Sequence, residues 1–104
     1  MKKFIILIPI FNDRESLAKL IENINSEVED INSEISIIVV NDASSQQITD
    51  NYTNTENINS IEIINMKENR GHARCIASGL KYIFKKKEFD FVIPMDGDGE
   101  DRPE

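Results

Sequence analysis

Short apolar runs alternate with helix-forming segments along this chain, and this alternation constrains the fold more than any other feature. The runs are rich in Ile and Val, whereas the segments between them repeat apolar residues at helical spacing or are polar. Strands that alternate with helices form β-α-β units around a parallel sheet. The sequence therefore predicts an α/β fold with four strands, at residues 3–8, 34–40, 60–65 and 89–95.

The predicted strands differ in how continuous they are. The first, second and fourth runs are nearly uninterrupted, which is typical of parallel strands that are covered on both faces. The third run is less continuous, so we expect it to form an edge strand. Residues 44–59 are polar and are predicted to form a long loop with at most a short helix.

Two segments carry the helical pattern. The first covers residues 14–28, and Asp13 is available as its N-cap. The second covers residues 72–86 and ends in a cluster of lysines. Basic side chains complement the negative end of the helix dipole, so a solvated helix end is expected there, with a nucleic-acid patch as the weaker alternative.

Length and charge limit the possible functions. A chain of 104 residues can bury one modest core, so it forms one domain or part of one. Its net charge of -7 argues against nucleic acid as a partner, because phosphate backbones are bound mainly by clustered Lys and Arg. A phosphorylated ligand would therefore need a bridging cation.

The N-terminus and the single cysteine bear on the compartment. The apolar run at residues 4–8 stops at Pro9 without a small-residue cleavage site, so it is predicted to be a buried strand and not a signal peptide. No run approaches the roughly 18 apolar residues of a membrane span. Cys75 has no partner for an internal disulfide, which fits a reducing compartment, and a cytoplasmic protein is expected.

Acidic residues follow three of the predicted strands. Ligands of open parallel sheets bind outside the carboxyl ends of the strands, and the loops at residues 9–13, 41–45 and 96–98 lie at such ends. Asp13 also has an ordinary role as a helix cap, and Asp42 as part of an Asx turn. Because the three loops converge on one edge, a binding site is predicted there.

The last of these loops has the composition of a metal site. An apolar strand delivers Asp96, Gly97 and Asp98 to a turn. Hard cations such as Mg²⁺ and Mn²⁺ prefer carboxylate oxygens, and Mg²⁺ is usually held by one or two carboxylates plus substrate phosphates. Gly97 leaves room for a diphosphate to approach. An acidic surface turn is the alternative for this spacing taken alone.

Four segments, in order, resemble family 2 glycosyltransferases with the GT-A fold, especially the polyprenyl-phosphate sugar transferase branch that includes dolichol-phosphate mannose synthases. The segments are IPIFND at 8–13, VVNDASS at 39–45, NRGHARC at 69–75 and MDGDGEDRPE at 95–104. They are similar to the family patterns PVYNE, VDDGST, NXGXXXA and MDADLQDPPE. The resemblance covers the whole chain.

The segments depart from these patterns at several positions. Phe11 replaces a Tyr and lacks its hydroxyl, and Asp13 replaces a Glu. Asn41 replaces the first acid of its segment, and Cys75 replaces a small Ala that packs inward, so Cys75 is expected in the core. Glu100 replaces a Gln and would add a charge to the metal site.

The resemblance implies the architecture. It implies a three-layer α/β/α, Rossmann-like nucleotide-binding half of a GT-A enzyme, with a mostly parallel sheet in the strand order 3-2-1-4. Residues 1–104 would form a single domain, the N-terminal donor-binding portion, and the acceptor half would be missing. The catalytic base is expected in that missing part, so no catalytic residue is assigned here.

The resemblance also implies the nucleotide-binding residues. Pro9, Phe11 and Asp13 would line the nucleoside pocket, and Val40 and Asp42 would meet the base.

The same segments imply a diphosphate and metal site. Asp96, Gly97 and Asp98 would approach the ribose and the diphosphate, and Asp96, Asp98 and Glu100 would hold Mg²⁺ or Mn²⁺. Arg70 and Arg74 are weaker candidates for phosphate contact.

The function implied is transfer of a sugar from a UDP- or GDP-linked donor to a lipid phosphate, a glycan or another acceptor. A divalent cation would neutralise the leaving diphosphate. The full-length protein would work at the cytoplasmic face of the membrane. Because the fourth strand would ordinarily pair with later strands, a homo-oligomer through an exposed sheet edge is also expected.

Two other classes of function remain open at this point. A receiver-like α/β module also holds Mg²⁺ with acids at strand ends, but it needs a Lys after a later strand, and the chain offers no convincing one. A non-enzymatic interaction domain would be favoured only if no nucleotide binds.

Overall fold

In the part of the chain that the structure describes, four parallel strands form one sheet with a helix on each face. The structure is a computed structural model, and it describes residues 2–43, 52 and 55–95. The elements in chain order are β1 (Lys2–Ile10), α1 (Arg14–Glu27), β2 (Ser33–Asn41), β3 (Ser60–Asn65), α2 (His72–Lys86) and β4 (Phe91–Pro94).

The strand order is β3-β2-β1-β4, and every neighbouring pair is parallel. β1 and β2 pair along their full length, from Lys2 opposite Ser33 to Ile10 opposite Asn41. The predicted α/β class, the order 3-2-1-4 and the edge position of β3 are confirmed. The predicted covering of the first two strands is also confirmed, because the core lies on both of their faces.

The two faces of the sheet carry separate hydrophobic clusters. Side chains alternate between the faces of a strand, so neighbours in β1 belong to different clusters. Ile6, Ile8 and Ile10 pack with Leu17 and Ile21 of α1. The opposite cluster lies under α2, and its buried members are Ile5, Leu7, Ile38, Val40, Cys75 and Ile83. Helices on both faces give the three predicted layers.

The residues next to each helix explain where the helix begins. Asp13 caps α1 as predicted, and its Oδ1 accepts a hydrogen bond from the backbone N–H of Ser16 at 3.3 Å. α1 ends at Glu27, one residue before the predicted end. α2 has the predicted bounds, and it begins after Gly71, whose φ of 90° favours glycine.

A buried amide holds the turn that leads into β3. Asn25 of α1 is 4% exposed, and its Oδ1 accepts the backbone N–H of Asn57 at 2.7 Å. Its backbone carbonyl accepts a hydrogen bond from the Asn57 side chain at 3.0 Å. Since buried polar groups need partners, this pair fixes the turn against α1.

β4 differs from its prediction. It covers Phe91–Pro94 instead of residues 89–95, and the expectation that both its faces are covered is wrong among the described residues. Phe91 and Ile93 are 48% and 38% exposed. The reason is that α1 leaves an apolar groove of about 250 Å³ beside Ile93. Among the described residues, β4 is also an edge strand that pairs only with β1.

Gly79 lets α2 approach the sheet closely. A Cβ at this position would lie 2.4 Å from Leu7 Cδ1 and 3.1 Å from Val40 Cγ2. We therefore expect Gly79→Ala to lower the free energy of unfolding by about 1–3 kcal/mol, although alanine is the better helix former. Urea denaturation measures the change.

The pair Gly79→Ala and Leu7→Ala provides the control. If the clash with Leu7 is the cause, the double variant loses less stability than the sum of the two single variants. Strict additivity would contradict this explanation.

The homo-oligomer expected from the sheet edge stays a prediction. Ile93→Lys places a charge on the exposed edge strand, where charge opposes strand pairing. We expect the native chain to sediment as a dimer or larger species at high concentration and the variant as a monomer. Ile31→Lys, at an exposed apolar residue outside β4, is the matched control. A monomeric native chain would contradict the prediction.

Candidate functional site

A pocket of about 200 Å³ opens at the carboxyl edge of the sheet. It is formed by the ends of β1 and β2 and by the start of α2, where the sequence predicts a ligand. Three of the predicted nucleotide-binding residues come together in it. Its lining residues are Pro9, Ile10, Phe11, Asp42, Asn69, Gly71 and Cys75.

Asp42 joins the segments around this pocket through hydrogen bonds of its side chain and its backbone. It is 4% exposed, and its carboxylate accepts backbone N–H groups of Arg70 at 2.7 Å and Gly71 at 2.9 Å. Its own backbone N–H donates to the carbonyl of Ile10 at 2.9 Å. Asp42 thus joins the ends of both central strands to the start of α2.

The two turns that follow β1 and β2 each contain a residue in the left-handed backbone conformation. Asn12, after β1, has a φ of 52°, and Ala43, after β2, has a φ of 59°. Asparagine tolerates this region, whereas alanine pays roughly 1–2 kcal/mol there. The family pattern has Gly at the position of Ala43, which the conformation explains. Such strain is typical of functional loops that the rest of the structure holds in place.

Asn41 does not line the pocket and contacts β3 instead. Its side-chain N–H donates to Asn65 Oδ1 at 2.9 Å, and its backbone carbonyl accepts the N–H of Met66 at 2.8 Å. Asn41 stands where the family pattern has an acid, and its amide donates a hydrogen bond that joins the ends of β2 and β3. Sequence reasoning did not find this role, because the two asparagines meet only through strand register.

Cys75 lies in the core, as predicted, and also contacts the site. Its side chain is fully buried and donates a hydrogen bond to the Asp42 carboxylate. Burial, together with the hydrogen bond and the negative charge of Asp42, raises the pKa of the thiol to about 12. The group therefore stays a neutral donor beside Asp42 and is not a nucleophile at physiological pH.

Two of the predicted nucleotide-binding residues that the structure describes, Asp13 and Val40, lie apart from the pocket lining. Val40 is fully buried in the cluster under α2. Asp13 is half-buried and caps α1. Their contacts with a nucleotide stay predictions.

The predicted metal ligands lie outside the described residues, as does Gly97. Asp96, Asp98 and Glu100 follow Met95, whose backbone N–H donates to the carbonyl of Leu7 at 2.8 Å. The chain therefore enters that segment beside the carboxyl end of β1. Within the described ranges, there is no group of three or more metal-binding side chains.

The arginines near the pocket are exposed. Arg70 pairs with Glu68 at 3.5 Å, and Arg74 lies in the first turn of α2. Their contact with phosphate stays a prediction. In the part of the chain that the structure describes, no helix has the length and apolar character to cross a membrane.

An open parallel sheet with a helix on each face and a pocket at its carboxyl edge is the arrangement of a Rossmann-like half. The chain matches the family described as glycosyl transferase family 2 over residues 5–104, and it belongs to this family. The resemblance seen in the four segments is thereby confirmed.

Curated relatives cover the whole chain. It is 30% identical over 107 residues to an undecaprenyl-phosphate 4-deoxy-4-formamido-L-arabinose transferase of Proteus mirabilis (strain HI4320). It is 31% identical over 104 residues to proteins of the same name from Yersinia pestis (strain Pestoides F) and Yersinia pseudotuberculosis serotype O:3 (strain YPIII). The chain spans 31% of the length of each of these relatives.

The raised pKa of Cys75 leads to a prediction about alkaline stability. The unfolded thiol loses its proton near pH 9, whereas the folded thiol keeps it to about pH 12. The folded state binds more protons in this range, so the free energy of unfolding falls as pH rises. Urea titrations from about pH 8 to pH 10.5 should show a steeper loss for the native chain than for Cys75→Ala. Equal slopes would contradict the pKa assignment.

Proposed function

We propose that this chain is the donor-binding part of a glycosyltransferase that binds a nucleoside-diphosphate sugar at the carboxyl edge of its sheet. The observation that supports this most is Asp42, whose buried carboxylate holds the start of α2 against the pocket. Family membership supports the same reaction class, and no described feature favours the receiver-like alternative.

The pocket suits a nucleoside in both shape and chemistry. Phe11 is 44% exposed at the rim and offers an aromatic face on which a base can stack. The two Asp42 oxygens accept one backbone N–H each, and the carboxylate also accepts the Cys75 thiol, so about one of its four lone-pair positions stays open. Asp42 can therefore accept a ring N–H of a base while it keeps its structural contacts.

The start of α2 suits a phosphate group. Helix N-termini carry free N–H groups and partial positive charge, and they bind anions for this reason. Gly71 lines the pocket at this end and carries no side chain that would block an approaching diphosphate. Arg70 and Arg74 lie within four residues along the same stretch and are proposed as supporting phosphate contacts.

We place the divalent cation at Asp96, Asp98 and Glu100. Members of this family generally use a divalent metal, and three carboxylates form a hard oxygen donor set that fits Mg²⁺ or Mn²⁺. Met95, the residue before this segment, hydrogen-bonds to Leu7 of β1 near the carboxyl end of that strand. A cation there would supply charge neutralisation for the leaving diphosphate.

The acceptor is proposed to be a lipid phosphate. The relatives are named for transfer involving undecaprenyl phosphate, and the chain resembles them along its whole length. The corresponding full-length protein would act at the cytoplasmic face of a membrane. We assign residues 1–104 to donor binding and expect the acceptor site and the catalytic base in a further part of such a protein.

Because donor binding is assigned to residues 1–104 and the catalytic base to a further part of the protein, we expect the 104-residue chain to bind nucleotide weakly and to transfer no sugar. Incubation with a radiolabelled UDP- or GDP-sugar and a polyprenyl phosphate should yield no labelled lipid. Robust turnover would show that the base lies within these residues.

Calorimetric titration of UDP and GDP tests donor binding directly. We expect one nucleotide to bind in the presence of Mn²⁺ or Mg²⁺ and to lose most of its affinity in EDTA. The double variant Asp96→Ala, Asp98→Ala should show the same loss, because it removes the proposed metal ligands.

The matched control is Glu29→Ala, Asp30→Ala. This variant also removes two carboxylates, but from the turn before β2 at the opposite edge of the sheet. It should bind like the native chain. Equal binding by the native chain and the Asp96 and Asp98 variant, with or without EDTA, would contradict the metal assignment.

A further inference from the structure

Helix α2 carries a basic outward face in an acidic protein. The chain has 19 acidic and 12 basic residues, yet α2 contains no acidic residue. Arg74, Lys81, Phe84 and Lys85 are all exposed along it, and at 3.6 residues per turn they lie on one side of the helix. Lys86 is also exposed but lies about 100° further around the axis from Lys85. We call Arg74, Lys81, Phe84 and Lys85 the basic face of α2.

The basic side chains of this face form no ion pairs among the residues that the structure describes. Arg74, Lys81 and Lys85 have no acidic partner there, whereas Lys87, just beyond the helix, pairs with Glu62. The helix dipole explains only the basic residues of the last turn. Arg74 lies in the first turn, where the dipole disfavours positive charge. Capping of the helix therefore does not account for the whole face.

An aromatic ring lies among these charges. Phe84 is 68% exposed, and its ring packs 5.4 Å from that of Phe89. Lys81, Phe84 and Lys85 have helical i, i+3 and i+4 spacing, so they share one side of the helix. Lysines around an exposed aromatic ring are typical of helices that lie in a membrane interface.

We propose that the basic face of α2 binds an anionic lipid surface, with the lysine ammonium groups at the headgroup phosphates and Phe84 inserted between them. The charges are complementary to such a surface. The net charge of -7 does not prevent contact, because charges more than about 8 Å apart are largely screened at physiological salt.

This orientation brings the candidate pocket to the membrane. Gly71 and Cys75, at the amino end of α2, line the pocket. With the helix flat on the surface, the pocket lies roughly one helix diameter, about 10–12 Å, from the headgroups. The inference goes beyond the proposed function and does not depend on nucleotide binding, although it would serve a lipid-phosphate acceptor.

Vesicle co-sedimentation tests the proposal. The native chain should bind vesicles of phosphatidylcholine mixed with phosphatidylglycerol, bind pure phosphatidylcholine much less, and dissociate as salt is added. Lys81→Glu, Lys85→Glu should weaken binding at least about tenfold, since each basic residue near an anionic surface contributes about fivefold.

The matched control is Lys19→Glu, Lys67→Glu. It changes the net charge by the same amount at two exposed lysines outside α2. It should bind the mixed vesicles like the native chain, and circular dichroism should show that both variants are folded. Equal weakening by both variants would mean that only net charge matters, which overturns the proposal.

A fluorescent probe tests the insertion of residue 84. The chain contains no tryptophan, so Phe84→Trp reports from one position. Its emission should shift to the blue with mixed vesicles, whereas that of Ile31→Trp, exposed after α1, should not. No shift at residue 84 would overturn the proposal. Salt-sensitive binding of single-stranded RNA without vesicle binding would overturn it in favour of a nucleic-acid partner.

Discussion

The pairing of β1 with β2 is the constraint on which the rest of the structure depends. The two strands pair in parallel from Lys2 to Ile10 of β1, and their central residues are buried on both faces. Buried apolar surface on both faces demands a covering helix on each side. α1 and α2 provide this cover, so the end of β1, the end of β2 and the start of α2 meet at one edge.

Asp42 converts this packing into a site. A backbone hydrogen bond from Asp42 to Ile10 joins the ends of β1 and β2, and the Asp42 side chain adds the start of α2 to this pair. The Asp42 carboxylate binds two backbone N–H groups and a thiol, which fixes the start of α2 and also keeps the carboxylate beside the pocket. A buried acid with several donors is costly to lose and hard to replace. The same residue therefore supports both the fold and the proposed recognition of a nucleotide.

α2 has different roles on its two sides. On its inward side, Gly79 has no Cβ, so the helix backbone approaches the side chains of Leu7 and Val40 closely. This contact sets the distance between the helix and the sheet. Its outward side carries charge without neutralising partners among the described residues. Because the helix starts at the pocket, a surface that binds its outward side also orients the pocket. A lipid surface and the donor site would thus be connected by one rigid element.

The strand order, both helices and the Asp13 cap could be predicted from the sequence. The helices and the cap are local features, because helical spacing and cap chemistry are encoded in neighbouring residues. The strand order is not local, and the resemblance to the family supplied it. The exposure of β4 was not predicted, because an apolar run indicates burial without saying which elements are present to cover it. The roles of Asn25 and Asn41 were missed for a similar reason, since their partners are distant in the chain and meet only in the folded protein.

The sequence by itself determined the α/β class, the family and the strand ends from which the site is built. Only the tertiary structure decided how the predicted site residues are used. It brings Pro9, Phe11 and Asp42 into one pocket, places Val40 in the core and joins Cys75 to Asp42. The physical reason is that strand pairing fixes which loops are neighbours, whereas side-chain packing and hydrogen bonding between distant segments fix which atoms face the pocket.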